Sequence, residues 1–375
     1  MLTQQQRDEL TRTRSPFSQA QTLPSWVYTC PQVFAAEMSG LFGQQWICLG
    51  HQSQFESGSV TQRVLGHHSL LVSRNLAGQL KCFHNVCRHR GTRLVSQPEQ
   101  THKLIVCPYH GWSYDLDGTL KAAPGMEGVD GFCAQNQGLL EINSQLWQGL
   151  LFVCLGAPSA QKLLADFPLP IADLANLQVA ASHQYTVKAN WKLLGDNYNE
   201  CYHCPAGHPQ LHQITRPAPD TQHQCRSDQF TGGPMILRQG YNTMSVSGVS
   251  QRDKLPGWAG SDSHLVHYFH VFPNLFLSFI PDYLMIHLLF PSGPGSTLVH
   301  TLWLFAPEQM SVAGFSPDDA VEFWHNTNQQ DWRLCEDAQK GQEAGVHRGG
   351  VYHPSERCVH DFDRWYADCL SQITS

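Results

Sequence analysis

The chain contains two short turns that each carry one cysteine and one histidine. Cys87 and His89 form a C-x-H pair, and Cys107 and His110 form a C-x-x-H pair further along. Two thiolates can hold one iron of a [2Fe–2S] cluster while two neutral imidazoles hold the other, which raises the potential above that of all-cysteine clusters. The alternative is a structural zinc site, since two cysteines and two histidines are also a zinc set. Because zinc fingers usually keep the two residue types apart, this mixed spacing favours the cluster.

A second group of potential metal ligands surrounds His203 and His208. The pattern predicts a helix over 191–204, with His203 near its end. His208 lies five residues later, about 140° away on a continuous helix, so both rings could reach one metal only if the helix ended. Pro205 and Gly207 are expected to supply that break, because proline cannot continue the hydrogen-bond ladder and glycine permits a return turn.

Two histidines need a carboxylate to complete the facial triad that holds Fe(II) and leaves positions open for O₂. Asp331 is the best candidate. We predict its helix over 317–340, with Ser316 as N-cap and Gly341 just past the end. An acidic residue on an inward-facing stripe needs a partner, and a metal is one. The residues expected on the same face as Asp331 are Trp324, Leu334, Cys335 and Ala338.

A zinc site is an alternative for this second group as well. Cys201 and Cys204 form a C-x-x-C pair that could combine with His203 and His208 into half of such a site. No second C-x-x-C pair exists in the chain to complete it. Buried small apolar side chains are the simpler interpretation of both cysteines.

The elements that must position these residues differ between parts of the chain. Residues 46–155 alternate short β-branched or aromatic runs with turns, which predicts a small antiparallel β domain whose turns carry the first Cys/His group. Residues 156–174 are predicted to be a proline-containing linker before a region of strands and helices. Residues 1–23 are predicted to be an irregular polar arm. Residues 214–262 lack a firm period and are predicted to form a loop bordering the pocket.

Composition narrows the classes of function. Among 375 residues, 24 basic and 31 acidic side chains give a net charge of -7, with no basic run. We therefore expect neither a nucleic-acid groove nor a polybasic membrane patch. No apolar stretch reaches the roughly 18 to 20 residues of a spanning helix, and the N-terminus lacks a signal-peptide core. The expected location is the cytoplasm, where the 13 cysteines would stay reduced.

With their flanking residues, the turns read C-R-H-R-G and C-P-Y-H-G-W, and the second group reads D-N-Y-N-E-C-Y-H-C and Q-Q-D-W. Together they resemble the oxygenase α subunits of the Rieske non-haem iron ring-hydroxylating family, over most of the chain. The resemblance implies an α+β fold in which a β-rich Rieske [2Fe–2S] domain is inserted into a helix-grip catalytic domain with an antiparallel sheet. The implied bounds are 1–45 for an N-terminal arm and helix of the catalytic domain, 46–155 for the Rieske domain and 156–375 for the catalytic mononuclear iron domain.

The resemblance also assigns the metal ligands and implies one cluster and one mononuclear Fe(II) per subunit, with O₂ as co-substrate. Glu200, three residues before His203, would hydrogen-bond to His110 of the partner subunit and carry electrons between them. That role implies a ring-shaped homotrimer. The implied cluster ligands are Cys87, His89, Cys107 and His110, and the implied iron ligands are His203, His208 and Asp331.

Many ring dihydroxylases have aspartate at the position of Glu200. The glutamate here resembles the branch that oxidises quaternary ammonium compounds such as choline, carnitine and betaine. Such a substrate needs an aromatic enclosure, at roughly 0.5–2 kcal/mol per cation–π contact. Tyr198 is the predicted substrate-binding residue, and Arg238 either pairs with a substrate carboxylate or lies at the surface. Further aromatic candidates, which could equally form the sheet core, are Tyr268, Phe269, Phe272, Phe276 and Tyr283.

The expected function is an oxygenase component that hydroxylates a C–H bond of a small quaternary ammonium compound, by oxidative N-demethylation or hydroxylation. Because the chain lacks a dinucleotide fingerprint, a separate NAD(P)H-dependent reductase is expected to supply the electrons. One alternative is a hydroxylase or demethylase of an aromatic acid, which an apolar pocket capped by arginine would favour. Another is a non-catalytic Rieske electron carrier, for which residues 46–155 alone would suffice.

Overall fold

The computed structural model describes residues 2–96, 99–101, 104–158, 160–217, 225–258 and 264–374. The chain divides into two compact units. One contains the residues up to Gly43 together with those from Gln161 onward, and the other spans Gln44–Ala160. The smaller unit is therefore inserted in sequence between the two parts of the larger one.

The smaller unit consists of short antiparallel strands. They are β1 (Ile47–His51), β2 (Ser59–Leu65), β3 (His68–Arg74), β4 (Leu80–His84), β5 (Glu99–Thr101), β6 (Ile105–Val106), β7 (Ser113–Tyr114), β8 (Leu120–Ala122), β9 (Asn143–Trp147) and β10 (Leu150–Cys154). Within the described residues they pair in the orders β1-β10-β9, β4-β3-β2-β5 and β6-β7-β8. A core that includes Phe83, Trp112 and Tyr114 also contains Cys87 and Cys107, so the first Cys/His group is anchored by packing.

The larger unit contains an antiparallel sheet that is continuous over most of its length. Its strands are β11 (Gln178–Val187), β12 (Thr215–Pro217), β13 (Cys225–Arg226), β14 (Phe230–Leu237), β15 (Leu265–Val271), β16 (Leu275–Ile280), β17 (Tyr283–Gly293) and β18 (Ser296–Phe305). They pair in the order β11-β18-β17-β16-β15-β14-β12, with β13 on β14. Every residue of β16 is buried, as expected for a central strand covered on both faces.

The chain also forms a set of α-helices, all of which belong to the larger unit. They are α1 (Gln4–Thr13), α2 (Ser25–Thr29), α3 (Pro31–Ala36), α4 (Trp191–Tyr198), α5 (Cys204–Gly207), α6 (Pro209–Ile214), α7 (Pro307–Met310), α8 (Asp318–Glu343) and α9 (Arg357–Ile373). The long helix α8 buries Phe323 and Trp324 in one core with Met285 and Trp303 of the sheet. Burying each such side chain contributes about 1.5–3 kcal/mol, so α8 is held firmly against the strands. No helix in the described residues has both the length and the apolar character to cross a membrane.

The predicted irregular arm over residues 1–23 is wrong, because α1 occupies part of it. Thr3 Oγ1 accepts the Gln6 N–H at 3.2 Å, and Gln6 Oε1 accepts the Thr3 N–H at 2.9 Å. This capping box starts the helix, and a fully buried Leu10 anchors it. The apolar face is too short for a periodic pattern, which is why the sequence did not reveal it.

The predicted continuous helix over 191–204 is also wrong. The helix begins after Asn190, whose side chain accepts the Lys192 N–H, but α4 ends at Tyr198. The carboxylate of Glu200 then accepts the backbone N–H groups of Tyr202 and His203, an alternative to the helical ladder. Pro205 consequently lies in the first turn of the short helix α5 and begins a helix instead of ending one.

The predicted loop over 214–262 contains strands β12, β13 and β14, although 218–224 and 259–263 lie outside the described residues. The sequence hides β14 because Gly232, Gly233 and Pro234 interrupt its strand-forming residues. A Cβ on Gly232 would meet the carbonyl oxygen of Tyr268 at 2.1 Å, so the neighbouring strand requires glycine there.

Helix α8 differs from its prediction at both ends and along one face. It begins at Asp318 with Pro317, not Ser316, at the N-cap position, although the hydroxyl of Ser316 accepts the Asp318 N–H at 3.1 Å. It continues through Gly341 to Glu343. Trp324 and Cys335 are buried as predicted, whereas Leu334 and Ala338 are exposed. The buried stripe passes instead through Asn328, Trp332 and Gln339. The polar members are tolerated because Asn328 Oδ1 pairs with the ring of His287 and Gln339 Oε1 accepts the Asn190 N–H.

Candidate functional site

The two Cys/His turns of the smaller unit have the same backbone design. The N–H of Gly91 donates to the carbonyl of Cys87 at 3.0 Å, and the N–H of Gly111 donates to that of Cys107 at 3.1 Å. Both glycines have φ +73°, a left-handed conformation that favours glycine. Each turn therefore holds one thiol and one imidazole on a backbone of the same conformation.

The arrangement of these side chains fits a two-iron cluster. Cys87 and Cys107 are 2% and 3% exposed, whereas the rings of His89 and His110 lie at the surface. The two Nδ1 atoms are 3.1 Å apart, close to the roughly 3.4 Å expected for two nitrogen ligands about 2.1 Å from one tetrahedral metal ion. Among the described residues, the four groups do not converge within the 4.8 Å that one ion would require. This separation argues against the zinc alternative.

Aromatic rings hold the two exposed imidazoles in place. Trp112 stacks on His89 with a centroid distance of 4.9 Å, and Tyr109 stacks on His110 at 3.8 Å. Stacking restricts the rotation of each ring and leaves its outer edge accessible. A redox group held here would be within reach of another protein surface.

In the larger unit, the structure brings His203, His208 and Asp331 together. The two Nε2 atoms are 3.1 Å apart, and Asp331 Oδ1 lies 3.4 Å from His203 Nε2 and 2.7 Å from His208 Nε2. These are separations of about 3 Å, as expected for three mutually perpendicular ligands of one ion. Among the described residues, these are the only His, Cys, Asp or Glu side chains that meet in such a group.

The return of the chain between the two histidines depends on α5. The N–H of Gly207 donates to the carbonyl of His203 at 2.8 Å, and the N–H of His208 donates to that of Cys204 at 2.9 Å. This single turn carries the chain from one histidine to the other. His208 returns towards His203 as predicted. The return is produced by the short helix α5, whereas a break after a longer helix was expected.

The second nitrogen of each histidine has its own partner. His203 Nδ1 lies 2.5 Å from Glu200 Oε1, and His208 Nδ1 lies 2.8 Å from Gln330 Oε1. Burial alone would lower the pKa of His203, but the carboxylates of Asp331 and Glu200 raise it to about 10. The negative field that binds this proton also favours a divalent cation. The sequence analysis did not identify Gln330, although its position directly before the candidate ligand Asp331 could have indicated that it contacts a metal-binding histidine.

A cavity of about 110 Å³ lies beside the triad. Glu200 and Asp331 are among its lining residues, and no lysine or arginine is present in the described lining. The charged groups of the described lining are therefore confined to the triad and Glu200. Its aromatic lining consists of Tyr198, Tyr268, Phe276, Trp324 and Trp332.

Tyr198, the predicted substrate-binding residue, lines this cavity. Its ring stacks on Phe276 at 4.1 Å, and its hydroxyl lies 3.0 Å from both the Leu277 carbonyl and Ser278 Oγ. The hydroxyl is thus occupied by the sheet, and the ring is the part that a ligand could contact. Burial raises the pKa of Tyr198, so the phenol stays neutral.

The remaining aromatic candidates and Arg238 fall into two groups, those that line the cavity and those that do not. Tyr268 and Phe276 line the cavity. Arg238 is outside the described lining, and its Nε donates to the carbonyls of His212 and Thr215. The candidates that are buried outside the lining are Phe269, Phe272 and Tyr283.

Cys201 and Cys204 also line the cavity, with Cys201 Sγ 3.6 Å from the sulfur of Met235. Cys204 belongs to the core cluster of the larger unit. Because His203 and His208 direct Nε2 towards Asp331, they are not available to a zinc half-site with these thiols. The cysteines behave as small apolar side chains.

Comparison with known families agrees with this geometry. Residues 174–372 match the ring hydroxylating alpha subunit (catalytic domain), and residues 45–133 match the Rieske [2Fe-2S] domain. The glycine betaine monooxygenase oxygenase subunit of Chromohalobacter salexigens is 31% identical over 386 residues, covering 93% of this chain and 86% of the relative. The carnitine monooxygenase oxygenase subunit of Acinetobacter baumannii is 27% identical over 341 residues, covering 88% and 87%.

A solved structure of a quaternary ammonium Rieske monooxygenase shares the fold, with a TM-score of 0.78 and 24% identity over 97% of this chain and 98% of that one. The predicted α+β fold is thereby confirmed. Members of this family use a [2Fe–2S] cluster, a mononuclear iron, O₂ and electrons from a separate reductase, and the two metal-ligand geometries above fit both groups. The chain belongs to the Rieske ring-hydroxylating oxygenase alpha subunit family.

Proposed function

We propose that this oxygenase oxidises an N-methyl C–H bond of a small quaternary ammonium compound of the betaine, choline or carnitine type. The observation that carries the proposal is the cavity beside the triad, with five aromatic side chains and no lysine or arginine in its described lining. A trimethylammonium group gains roughly 0.5–2 kcal/mol from each aromatic face that it contacts. The names of the similar glycine betaine and carnitine monooxygenase subunits agree with this substrate class.

In this proposal, each group of ligands has a separate task. When bound, the metal groups supply single-electron transfer and activation of O₂. The buried thiols and surface imidazoles would hold the cluster at an accessible edge, and the triad would hold the iron at the end of the cavity. The assigned ligands are Cys87, His89, Cys107 and His110 for the cluster, and His203, His208 and Asp331 for the iron.

The reaction balances as a monooxygenation. R–N⁺(CH₃)₃, O₂, two electrons and two protons yield R–N⁺(CH₃)₂–CH₂OH and water. The hydroxymethyl C–N bond then breaks, the electron pair stays on nitrogen, and formaldehyde and one proton leave. The products are R–N(CH₃)₂ and formaldehyde, which makes formaldehyde a direct measure of turnover.

The side chains of the cavity would position the substrate for this step. Tyr198 and Phe276 form one stacked wall, and Trp324 lies edge-on to Tyr268 with ring centroids 6.4 Å apart. Aromatic faces attract the ammonium without a formal charge, and the described lining contains no lysine or arginine to repel it. An ammonium held by these rings would have one N-methyl group facing the triad.

Electron delivery in this proposal uses Glu200. Its carboxylate contacts the first histidine of the triad through Nδ1, and its side chain remains 13% exposed. We assign it the contact with His110 of the partner subunit, in a homotrimer that receives electrons from a separate NAD(P)H-dependent reductase. The exposed rings of the Cys/His turns support this arrangement.

The aromatic-acid alternative is less well supported, because the described cavity has no arginine to cap a carboxylic acid. The electron-carrier alternative fails to account for the match of residues 174–372 to the catalytic domain.

A single-turnover experiment tests the proposal. Iron-loaded protein is reduced chemically without O₂ and is then exposed to O₂ with separate quaternary amines and aromatic acids. Formaldehyde from a trimethylammonium compound is expected, and the His203→Ala variant should form none while keeping the cluster absorbance. A product from an aromatic acid alone would overturn the substrate class.

A further inference from the structure

The cavity beside the triad is lined by side chains that oxidants damage. O₂ that takes up two electrons and two protons there without a substrate leaves peroxide in the cavity. Thioethers, thiols and indoles react with peroxide and with the one-electron oxidants that iron makes from it. The lining residues of these kinds are Cys201, Cys204, Met235, Met285, Trp324 and Trp332. A route that carries oxidising equivalents away from them would protect the enzyme.

Trp332 is the lining residue from which such a route leads outward. It follows the triad residue Asp331 in α8, and its ring centroid lies 6.0 Å from that of Tyr185, which is outside the described lining. The buried Nε1 of Trp332 has no hydrogen-bond acceptor among the described residues. An oxidised indole at this position therefore keeps its proton and remains a strong oxidant, so it can take an electron from the neighbouring phenol.

Tyr185 lies on β11, the strand at one end of the pairing order of the sheet. Its hydroxyl lies between two imidazoles, 2.9 Å from His325 Nδ1 and 3.3 Å from His183 Nδ1. Burial raises the pKa of Tyr185 to about 12, so the phenol is protonated in the resting protein. An oxidised phenol, by contrast, is a strong acid and gives its proton to a neighbouring base.

The hydrogen-bond directions show which imidazole receives this proton. The side-chain amide of Gln329 donates to His325 Nε2 at 3.1 Å, so the neutral ring of His325 carries its proton on Nδ1 and donates it to the hydroxyl of Tyr185. The hydrogen of that hydroxyl is then directed at His183 Nδ1. Burial and the nearby His325 lower the pKa of His183, so its ring is neutral and its Nδ1 can accept the proton.

The other tyrosines in and next to the cavity wall lack such a base. The hydroxyl of Tyr198 contacts a backbone carbonyl and a serine, and that of Tyr283 donates to a backbone carbonyl. Oxygens of these kinds accept a hydrogen bond but do not take up a proton near neutral pH. The buried hydroxyl of Tyr268 has no partner among the described residues. Tyr185 is thus the phenol of this region that can be oxidised without leaving a positive charge on its own ring.

We infer that Trp332, Tyr185 and His183 form a relay that carries oxidising equivalents from the triad to the protein surface, where a small thiol quenches them. This inference rests on the proposed iron site, because the oxidant arises there. In each passage Trp332 loses one electron and regains it from Tyr185, whose proton moves to His183 and on to water. A thiol then returns a hydrogen atom to Tyr185. Two passages reduce one peroxide, with two protons, to two waters and join two thiols in one disulfide.

Freeze-quenched electron paramagnetic resonance tests the relay in iron-loaded protein that is mixed with peroxide in the absence of substrate. The unaltered protein is expected to show a tyrosyl radical that dithiothreitol removes. Tyr185→Phe should abolish this signal, and His183→Leu should weaken it because the phenol loses its proton acceptor. In both variants, mass spectrometry should find about twice as much oxidised Trp332 or more, with a matching rise in methionine sulfoxide at Met235 and Met285.

Tyr241→Phe is the matched control, since Tyr241 packs on the core of the larger unit and is outside the described lining. It should leave the radical and the yield of oxidised peptides unchanged. Tyr185→Phe should keep the formaldehyde yield with a trimethylammonium substrate, because Tyr185 does not line the cavity, and this yield also shows that the variant folds.

The same tyrosyl signal and the same damage in Tyr185→Phe as in the unaltered protein would overturn the relay. Equal damage in His203→Ala, which should lack the mononuclear iron, would also overturn it, because the oxidant would then not arise at the triad. Failure of the unaltered enzyme to form formaldehyde from any quaternary amine would instead overturn the proposed function, since the radical and peptide measurements need no substrate.

Discussion

Each histidine of the proposed iron site uses its second ring nitrogen to maintain its orientation. Glu200 contacts Nδ1 of His203, and Gln330 contacts Nδ1 of His208, so both rings are left with Nε2 towards Asp331. Partners of this kind fix the tautomer and the basicity of a metal ligand. The triad therefore depends on residues that would not touch the metal.

Gln330→Leu is expected to lower the occupancy of the mononuclear iron, because His208 would be free to rotate. The expected loss of iron affinity is roughly 10- to 100-fold. Iron content after dialysis against a graded chelator measures it, with the cluster absorbance as an internal reference. Gln329→Leu is the matched control, since Gln329 is exposed and contacts His325 instead. Equal iron loss in both variants would contradict the orienting role of Gln330.

Glu200→Gln tests electron delivery separately from metal binding. The amide can still accept the backbone N–H groups of Tyr202 and His203, so the local turn should persist. We expect most of the iron to remain and reoxidation of the reduced cluster by O₂ and substrate to slow roughly 10- to 100-fold. Stopped-flow absorbance of the cluster measures this rate. Normal reoxidation in a variant with full iron content would remove Glu200 from the electron path.

At the scale of elements, the sequence predicted a boundary correctly where a single residue type determines the local backbone conformation. The predicted helix start at residue 191 is confirmed by α4, and the expected return of the chain at Pro205 and Gly207 is provided by α5. The end of α4 was not predictable, because it depends on the Glu200 carboxylate competing for backbone N–H groups. Strand β14 was not predicted for a similar reason. Its glycine at 232 is required by the close approach of the neighbouring strand, which local strand propensity does not reveal.

The sheet of the larger unit buries histidines in a way that makes its stability depend on pH. His270 on β15 and His287 on β17 are 0% and 3% exposed. Burial lowers the pKa of His270 to about 3 and that of His287 to about 4. An unfolded histidine has a pKa of about 6.5, so the unfolded chain takes up protons below that pH that the folded sheet excludes.

The free energy of unfolding should therefore fall as the pH is lowered from about 6.5 towards 4, by about 1.4 kcal/mol per pH unit for each excluded proton. Urea unfolding followed by tryptophan fluorescence across this range measures the slope. His270→Gln keeps a polar side chain next to Asn199 and removes one titrating group. For this variant, the slope of the free energy of unfolding against pH should be shallower by the equivalent of about one proton. Equal slopes for the variant and the unaltered protein would show that His270 does not take up a proton on unfolding.

At the scale of the whole molecule, the proposed homotrimer makes the cluster of one subunit serve the iron of the next. The two imidazoles of the Cys/His turns are exposed, and Glu200 beside the triad is partly exposed, so each end of the electron path reaches a surface. A head-to-tail interface of this kind closes into a ring of three when successive subunits are related by one third of a turn. Activity would then be a property of interfaces between subunits.

Mixed trimers test this directly. One subunit carries His110→Ala and lacks a complete cluster, and the other carries His203→Ala and lacks the iron site; differently tagged copies are co-expressed and purified through both tags. Any mixed ring of three has a single interface where an intact cluster faces an intact iron site, so about one third of wild-type turnover is expected. Separately purified variants, combined without exchange, should stay inactive. Inactive mixed trimers with the expected metal content would place electron transfer within each subunit, because only that route fails in every combination.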